Sequence, residues 1–427
     1  MKNVVLTPFC LESVIVFHKM KKMGVNVISF FDKNPYLHGK CYKSADGTCR
    51  IENMWKVNDC NVIICNMTYE KDIKEGLLEC GFCESDITLI EKRGIYSDNI
   101  DIIEKVDLES LWELWGVADG QKFIEAKKII KLVPLVGIDN LSKYSGHYRD
   151  EVYYDNKGTH IIFNRLEIDL TAKCTLKCKK CCNMMAYFSD PKDLDVQTVK
   201  KDYSRMLENI EWTDDVLLIG GEPFLYKNLG EVINYIYNDA NTKSKVGLIR
   251  IVTNGTIIPN PDVLDVMEKC RVYVLISNYG EKSRNIDKLI NNLVQHNIHY
   301  TIQNTIFWSD VEQYVEAENA SSEEELMKKR KDGCSTLCRT VDDGKFYLCA
   351  HLKSLKLLDA LPADSVNCYV DIYDNDAKEK IAGYLDKNTP LPKACTWCNG
   401  CSIEMWESLH IPAAEQTKEI LKYKKFN

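Results

Sequence analysis

Long hydrophobic runs and an excess of basic residues are both absent from the sequence. No stretch approaches the roughly 18 consecutive apolar residues that a membrane-spanning helix needs. The 427 residues include 55 Lys+Arg and 63 Asp+Glu, a formal net charge of -8, which argues against a broad nucleic-acid-binding face. Residues 14–17 are apolar, but no small-residue cleavage site follows them, so they do not resemble a signal peptide. We therefore expect a cytoplasmic protein that binds neither membranes nor nucleic acids.

The Gly-x-Gly-x-x-Gly fingerprint of dinucleotide-binding domains is missing as well. The strand predicted over residues 4–6 continues into Thr7-Pro8-Phe9-Cys10, and without glycines its backbone has no easy close approach to a pyrophosphate. Strand and helix patterns nevertheless alternate over residues 1–105, with helices predicted over 11–22 and 70–79. This alternation predicts a Rossmann-like α/β unit with a parallel sheet.

Cysteine, in contrast, is abundant, with 19 residues in the chain. In a reducing cytosol, this number favours metal binding or catalysis over disulfides. The cysteines are also clustered: four lie between residues 174 and 182, and six lie in two groups after residue 330. Cys60, Cys65, Cys80 and Cys83 could form a further metal site near the N-terminus, although buried, inert thiols are the simpler interpretation.

The rest of the chain divides into three predicted parts. Residues 106–160 are expected to form a helical connector, and residues 161–325 alternate between strands and helices. The strands predicted in this second part have lengths that suit a closed or partial (β/α) barrel: 161–170, 216–219, 248–252, 272–276 and 300–306. The cysteine-rich residues 326–427 would follow as a separate cap.

A cysteine triplet follows the first predicted barrel strand. Cys174, Cys178 and Cys181 have the spacing Cys-x3-Cys-x2-Cys on one short loop. A [4Fe–4S] cluster normally has four cysteine ligands, so three would leave one iron open to another ligand. Buried cysteines or a zinc site are the alternative interpretation of the triplet alone. Cys182, next in the chain, could donate hydrogen to a substrate radical or simply pack.

Small and polar residues end the following strands. Gly220-Gly221-Glu222-Pro223 comes after the second strand, Thr253-Asn254-Gly255 ends the third, and Ser277 ends the fourth. Ligand sites in α/β folds are built at these carboxyl ends.

Together, these motifs resemble the signature of the radical S-adenosylmethionine (SAM) superfamily over about residues 163–310. The resemblance implies that the cysteine triplet holds a [4Fe–4S] cluster whose fourth iron chelates SAM. It also implies a set of SAM contacts: Gly220, Gly221, Glu222 and Pro223 near the amino group, and Thr253, Asn254 and Ser277 near the ribose and carboxylate. Lys180 departs from the family pattern, which usually has an aromatic residue against the adenine at this position.

The chemistry that this resemblance implies begins with one-electron reduction of the cluster, for which a flavodoxin- or ferredoxin-type protein is the expected electron donor. Reductive cleavage of SAM then yields methionine and a 5′-deoxyadenosyl radical, which takes a hydrogen atom from the substrate. The protein orients the reactants and excludes water.

The second cysteine set resembles a Twitch domain, which is a shortened SPASM domain that binds one auxiliary [4Fe–4S] cluster. The pattern is Cys334-x9-Gly344-x4-Cys349, followed by Cys395-x2-Cys398. By this resemblance, those four cysteines are the ligands, and Cys338 or Cys401 could replace one of them. A zinc ribbon is the alternative, since Cys-x2-Cys pairs also bind Zn²⁺.

The resemblance implies an enzyme of the oxidoreductase, isomerase or lyase type. We expect a sugar, nucleotide-sugar or other polyol substrate, with oxidation, epimerisation or dehydration as the outcome, since the N-terminal unit lacks the winged helix that many peptide maturases carry. A ribosomal-peptide maturase that forms a thioether, a crosslink or an epimerised residue is the alternative enzyme. A non-catalytic iron–sulfur or zinc redox sensor is a third class.

Overall fold

The structure is a computed structural model, and two compact units make up the chain, Met1–Gly146 and His147–Asn427. The structure describes residues 3–53, 60–66, 69–90, 95–96, 99–116, 120–137, 151–155, 158–311, 321–331, 334, 339–361, 368–386, 388–400 and 410–422.

A six-stranded sheet forms the centre of the first unit. Its strands are β1 (Val4–Thr7), β2 (Val27–Phe31), β3 (Cys41–Ser44), β4 (Gly47–Glu52), β5 (Asn61–Ile64) and β6 (Ile87–Leu89), in the order β3-β4-β2-β1-β5-β6. All neighbouring pairs are parallel except β3 and β4. The central strand β1 is buried along its whole length, which explains its continuous apolar sequence. The prediction of a parallel α/β sheet in this unit is confirmed.

Helices flank this sheet: Leu11–Lys22, Glu70–Glu79, Ile100–Ile103, Leu108–Leu111 and Gly120–Val136. The first two agree with the helices predicted over 11–22 and 70–79. The last helix lies within the residues expected to form a helical connector, and it continues past Pro134 to Val136. Cys60 and Cys65 are buried, as the simpler interpretation requires, while Cys83 is exposed.

The second unit is built on a larger sheet. Its strands are β7 (Glu151–Asp155), β8 (Gly158–Thr171), β9 (Trp212–Gly220), β10 (Val246–Thr253), β11 (Tyr273–Asn278), β12 (His299–Asn304), β14 (Arg339–Asp342), β15 (Lys345–Tyr347) and β16 (Val370–Asp371). The order is β12-β11-β10-β9-β8-β14-β15-β16, and β7 pairs with β8. The short strands β13 (Phe307–Ser309) and β17 (His410–Pro412) form a separate antiparallel pair.

Six of these strands run parallel, from β14 through β8, β9, β10 and β11 to β12. Five of them were predicted from the sequence, and β14 was missed. It comes from the cysteine-rich region expected to form a separate cap, and it lies parallel to β8 with Thr340 opposite Glu167. Within the described residues, the strand order is open, with β12 and β16 at its ends.

Amphipathic helices cover this sheet. Val196–Glu208 begins at Asp195, whose carboxylate accepts hydrogen bonds from the backbone N–H groups of the first turn, and it buries Val199, Tyr203 and Met206 against the strands. The other helices of this unit are Leu229–Asn238, Ala240–Lys245, Pro261–Lys269, Ile286–Gln295, Glu323–Lys331, Ala350–Leu357 and Ala377–Leu385. Because β8, β9, β10 and β11 run parallel, their carboxyl ends meet at one edge of the sheet, where the cysteine triplet lies.

In the part of the chain that the structure describes, no helix has the length and apolar character needed to cross a membrane.

Candidate active site

The loop that carries the cysteine triplet is anchored where β8 ends. The hydroxyl of Thr171 donates to Asp193 at 2.6 Å and accepts from the backbone N–H of Lys173 at 3.0 Å. The ammonium of Lys173 lies 2.7 Å from the same aspartate. These contacts hold the start of the loop in place before Cys174.

Hydrogen-bond donors point at the sulfur atoms of Cys174 and Cys178, and the sulfur of Cys181 also receives hydrogen bonds. The backbone N–H of Leu176 and the side-chain amide of Asn254 donate to Sγ of Cys174 at 3.4 and 3.5 Å. The side-chain amide of Gln416 donates to Sγ of Cys178 at 3.1 Å. Donors of this kind stabilise negative charge on sulfur, as a metal-bound thiolate requires. The loop therefore suits the iron–sulfur cluster that the resemblance implies.

The three thiols differ in acidity. Burial raises the pKa of Cys174 and of Cys178 to about 12. A hydrogen bond from Cys182 lowers the pKa of Cys181 to about 7, aided by the backbone N–H groups of Met185 and Asn183. Cysteine ligates a metal as the thiolate. Cys181 therefore loses its proton most easily of the three, while Cys174 and Cys178 lose theirs when the metal binds.

Gly220 and Gly221 allow the end of β9 to approach this loop closely. Gly220 has a positive φ of 145°, and a Cβ atom there would lie 2.3 Å from the carbonyl oxygen of Thr171. A Cβ on Gly221 would lie 2.1 Å from the carbonyl oxygen of Lys173. No larger side chain fits at either position without moving the loop.

Glu222 is fully buried and faces the end of the next strand. Its carboxylate accepts hydrogen bonds from the backbone N–H groups of Phe224 and Asn254 and from the hydroxyl of Thr253, at 2.9 to 3.2 Å. Burial raises its pKa to about 7, although these three donors oppose the shift. Glu222 therefore ties β9 to β10 at the point where both strands reach the site.

The Asn254 side chain is held on both of its polar atoms. Its amide nitrogen donates to Thr175 at 3.2 Å, and its oxygen accepts from the backbone N–H of Thr256 at 3.0 Å. The Ser283 hydroxyl donates to the Asn254 carbonyl oxygen at 2.7 Å and to that of Ser277 at 3.2 Å. These contacts connect the ends of β10 and β11 to the cysteine loop.

A cavity of about 680 Å³ opens over these strand ends. Both predicted cysteine sets line it: Cys174, Cys178, Cys181, Cys334, Cys349, Cys395 and Cys398. Of the residues expected to contact SAM, those that line it are Gly220, Gly221, Thr253, Asn254 and Ser277. Glu222 and Pro223 are buried beside it and are not among its described lining residues.

The four C-terminal cysteines approach one another although 64 residues separate the first from the last. Burial raises the pKa of Cys395, and Cys349, Cys334 and Cys398 raise it further, so the four sulfurs lie within electrostatic range. Sγ of Cys349 and of Cys398 each accept a backbone N–H at 3.3 Å, from Leu352 and Gly400.

Cationic side chains accompany this second set. The ammonium of Lys329 donates to the carbonyl oxygens of Cys395 and Cys398 at 3.1 and 2.8 Å. Arg330 and Arg339 also line the cavity. Positive charge and N–H donors around four sulfurs suit a bound group that carries net negative charge, as a cluster with four thiolate ligands does.

Two of the predicted alternatives, Cys338 and Cys401, lie outside the described residues. Among the residues that are described, no three His, Cys, Asp or Glu side chains are arranged to hold a single metal ion.

Sequence reasoning missed several side chains at this site. Asp169, at the end of β8, forms a buried ion pair with Lys353, and Asp342 lies close to both. His351 lines the cavity, and burial lowers its pKa to about 4. No local pattern indicates these residues, because their partners are far away in the chain. Cys182 is exposed and lines the cavity, and its role as a hydrogen donor or as a residue that simply packs stays a prediction.

Sequence comparisons show which known proteins this chain is similar to. Residues 168–278 match the sequence model of the Radical SAM superfamily. An S-adenosylmethionine-dependent nucleotide dehydratase of Selenomonas ruminantium is 27% identical over 103 residues, which are 23% of this chain and 33% of that protein. The chain thus matches about a third of the length of this curated relative.

Parts of the chain also match solved structures, two of which contain AdoMet. BtrN in complex with AdoMet and 2-DOIA is 15% identical, with a TM-score of 0.34 over 61% of this chain and 98% of that one. Native anSMEcpe with bound AdoMet is 13% identical, with a TM-score of 0.33 over 44% and 74% of the two chains. The family match and the cysteine loop that lies within it together identify a radical SAM domain in this chain.

Proposed function

We propose that the protein is a radical SAM enzyme that abstracts hydrogen from a sugar, a nucleotide-sugar or another polyol. The observation that carries this proposal is one cavity of about 680 Å³ lined by both the radical SAM cysteine loop and a second set of four cysteines. Such a volume is typical of sites for small molecules.

In this proposal, Cys174, Cys178 and Cys181 hold a [4Fe–4S] cluster and the strand ends hold SAM. When bound, these groups supply reductive cleavage of SAM to methionine and a 5′-deoxyadenosyl radical. Gly220 and Gly221 leave room for SAM beside the loop, while Thr253, Asn254 and Ser277 offer polar groups to its ribose and carboxylate. Glu222 keeps β9 and β10 together, which positions these groups, and Pro223 follows it.

The polar side chains of the cavity support a hydroxylated substrate. The side-chain oxygen of Asn183 and the hydroxyl of Ser309 are buried without a hydrogen-bond partner, and both residues line the cavity. Buried polar atoms are normally paired, so a ligand with several hydroxyl groups would satisfy them. The similarity to a nucleotide dehydratase also supports a nucleotide-linked substrate and dehydration as the outcome.

Cys334, Cys349, Cys395 and Cys398 are proposed to hold one auxiliary [4Fe–4S] cluster with no open iron. Oxidation of an alcohol removes two electrons, and hydrogen abstraction accounts for only one of them, so an oxidation needs an electron acceptor. Dehydration and epimerisation need none. The iron content of the second site therefore helps to decide between these outcomes.

Iron and sulfide analysis after anaerobic reconstitution, with zinc excluded, tests both metal assignments. We expect about eight irons per chain and, in a Cys395→Ser/Cys398→Ser variant, about four. Retention of about eight irons in the variant would rule out these ligands. About four irons in the unmodified chain, together with zinc binding when zinc is supplied, would replace the auxiliary cluster with a zinc site.

Product analysis separates the enzyme from a redox sensor. Reduction of the reconstituted protein with SAM, by dithionite or by a flavodoxin system, should yield 5′-deoxyadenosine. A fully loaded protein that forms none would contradict an enzymatic role and favour a sensor.

Deuterium transfer identifies the substrate class. We expect deuterium from a perdeuterated nucleotide-sugar to appear in 5′-deoxyadenosine. Deuterated peptides that correspond to short open reading frames next to the gene for this protein are the second probe. Transfer of deuterium from these peptides, without transfer from sugars, would overturn the sugar assignment and support a ribosomal-peptide maturase.

A further inference from the structure

The segment after β17 lies across the cysteine triplet, although it is more than 230 residues away in the chain. β17 pairs with β13 in the cavity wall, and the backbone N–H of Ala413 donates to the carbonyl oxygen of Ile306 at 2.9 Å. Ala414 is fully buried against Leu176 and Cys178. The segment thus covers the outer side of the loop that holds the proposed cluster.

Backbone contacts connect this segment to the loop on both sides of the second sulfur. The N–H of Lys179 donates to the carbonyl oxygen of Glu415 at 2.6 Å, and the N–H of Thr417 donates to the carbonyl oxygen of Lys177 at 2.8 Å. Cys178 and Gln416 face each other as an antiparallel bridge. An ion pair between Lys179 and Glu415, at 2.6 Å, adds to these contacts at the surface.

Gln416 uses both ends of its side-chain amide. Its oxygen accepts the backbone N–H of Lys177 at 2.9 Å, and its nitrogen donates to Sγ of Cys178 at 3.1 Å and to the carbonyl oxygen of Ala414 at 2.8 Å. Because the N–H of Lys177 can only donate, it fixes which end of the amide is oxygen. The NH₂ group must therefore face the sulfur.

Cys178, whose sulfur receives this bond, is buried, while Gln416 is exposed. Hydrogen bonds to the sulfurs are among the features that set the reduction potential of an iron–sulfur cluster. An N–H donor stabilises the more negative, reduced form and so raises the potential.

We propose that Gln416 is a positioning residue of the radical cluster site, which fixes the loop around Cys178 and raises the reduction potential of the cluster through its bond to that sulfur. This inference rests on the proposed assignment of Cys174, Cys178 and Cys181 as cluster ligands. It adds a residue from outside the radical SAM domain at 168–278 to the machinery of that domain.

The test is an anaerobic redox titration monitored by electron paramagnetic resonance on the reconstituted full chain. The signal that changes when SAM is added belongs to the cluster with the open iron, and its midpoint potential is measured before SAM is added. Two variants remove the donor and keep a side chain of similar size: Gln416→Leu and Gln416→Glu. Glu415→Gln is the matched control, because it breaks the ion pair to Lys179 and leaves the bond to sulfur in place.

We expect a negative shift in midpoint potential for Gln416→Leu and a larger one for Gln416→Glu, because it adds negative charge. Glu415→Gln should show no negative shift, because it removes a carboxylate from an exposed ion pair and keeps the bond to sulfur. Equal potentials in all four proteins, with full iron loading, would overturn the inference. A negative shift in Glu415→Gln as large as that in Gln416→Leu would also overturn it, because general loosening of the segment would then explain both. If the unmodified chain binds no such cluster, the proposed function itself fails, and this result is separate from the other two.

Discussion

Lys353 and Asp169 form an ion pair in which both side chains are almost completely buried, with 2% and 4% of their surface exposed. The pair connects the helix Ala350–Leu357 with the end of β8, just before the hydroxyl-anchored start of the cysteine loop. Burial opposes the charge on Lys353, but Asp169 and Asp342 outweigh it and raise its pKa. Cys349 is the N-cap residue of this helix, so the ion pair connects the element that follows one cysteine set with the strand that precedes the other.

Replacing one partner of this pair should be costly. We expect Lys353→Met to lower the free energy of unfolding by about 3–5 kcal/mol, because it leaves the carboxylate of Asp169 buried without a counter-charge. Urea denaturation under anaerobic conditions measures the change. Lys356→Met is the matched control, since Lys356 is exposed on the same helix. Equal stability of the two variants would show that the buried pair contributes nothing.

The close approach of Gly221 to the cysteine loop predicts a severe effect of Gly221→Ala. The new Cβ would collide with the backbone of Lys173, so the loop must move and its sulfurs with it. We expect loss of about four irons per chain after reconstitution. Gly383→Ala is the control, because Gly383 lies in a helix with open space around it, and the change should add up to about 1 kcal/mol of stability. Full iron loading in Gly221→Ala would contradict the predicted geometry.

The buried carboxyl of Glu222 predicts a pH dependence of stability. Its folded pKa of about 7 lies above the ordinary value of 4.5, so the stability it contributes is present below about pH 4.5 and is lost as the pH rises to about 7. The loss amounts to about 3 kcal/mol. Glu222→Gln does not titrate, so the free energy of unfolding of the iron-free chain should fall less steeply with pH in this variant.

Glu231→Gln is the control for this pH dependence, because Glu231 forms a half-exposed ion pair with Lys200. It should keep the slope of the unmodified chain between pH 4.5 and 7. A Glu222→Gln variant with that same slope would show that Glu222 is ionised in the folded chain throughout this range.

The adjacent cysteines 181 and 182 should differ in their effect on iron binding. A hydrogen bond from Cys182, together with backbone N–H groups, lowers the pKa of Cys181 to about 7, whereas Cys182 itself is exposed in the cavity. We expect Cys181→Ala to lose about four irons per chain and Cys182→Ala to lose none. The reverse result would reassign the third ligand of the triplet.

The sequence by itself determined the features that depend on residues close together in the chain. Cys174, Cys178 and Cys181 lie on one loop, and the next strand ends in Gly220 and Gly221, so their meeting follows from parallel strand order alone. The helices over 11–22 and 70–79 and five of the six parallel strands of the second sheet followed from the period of their apolar residues. In each case, the hydrophobic pattern or the spacing of ligands is local.

Only the tertiary structure decided which distant residues share the site. β14 pairs with β8 although only one of its four residues, Val341, is apolar, so no property of residues 339–342 alone indicates this partner. The pairs Lys353–Asp169 and Gln416–Cys178 are separated by 184 and 238 residues. Their contacts arise from the packing of whole elements. A buried charge or sulfur is stabilised by a polar partner, and the sequence periodicity does not indicate which residue that partner is.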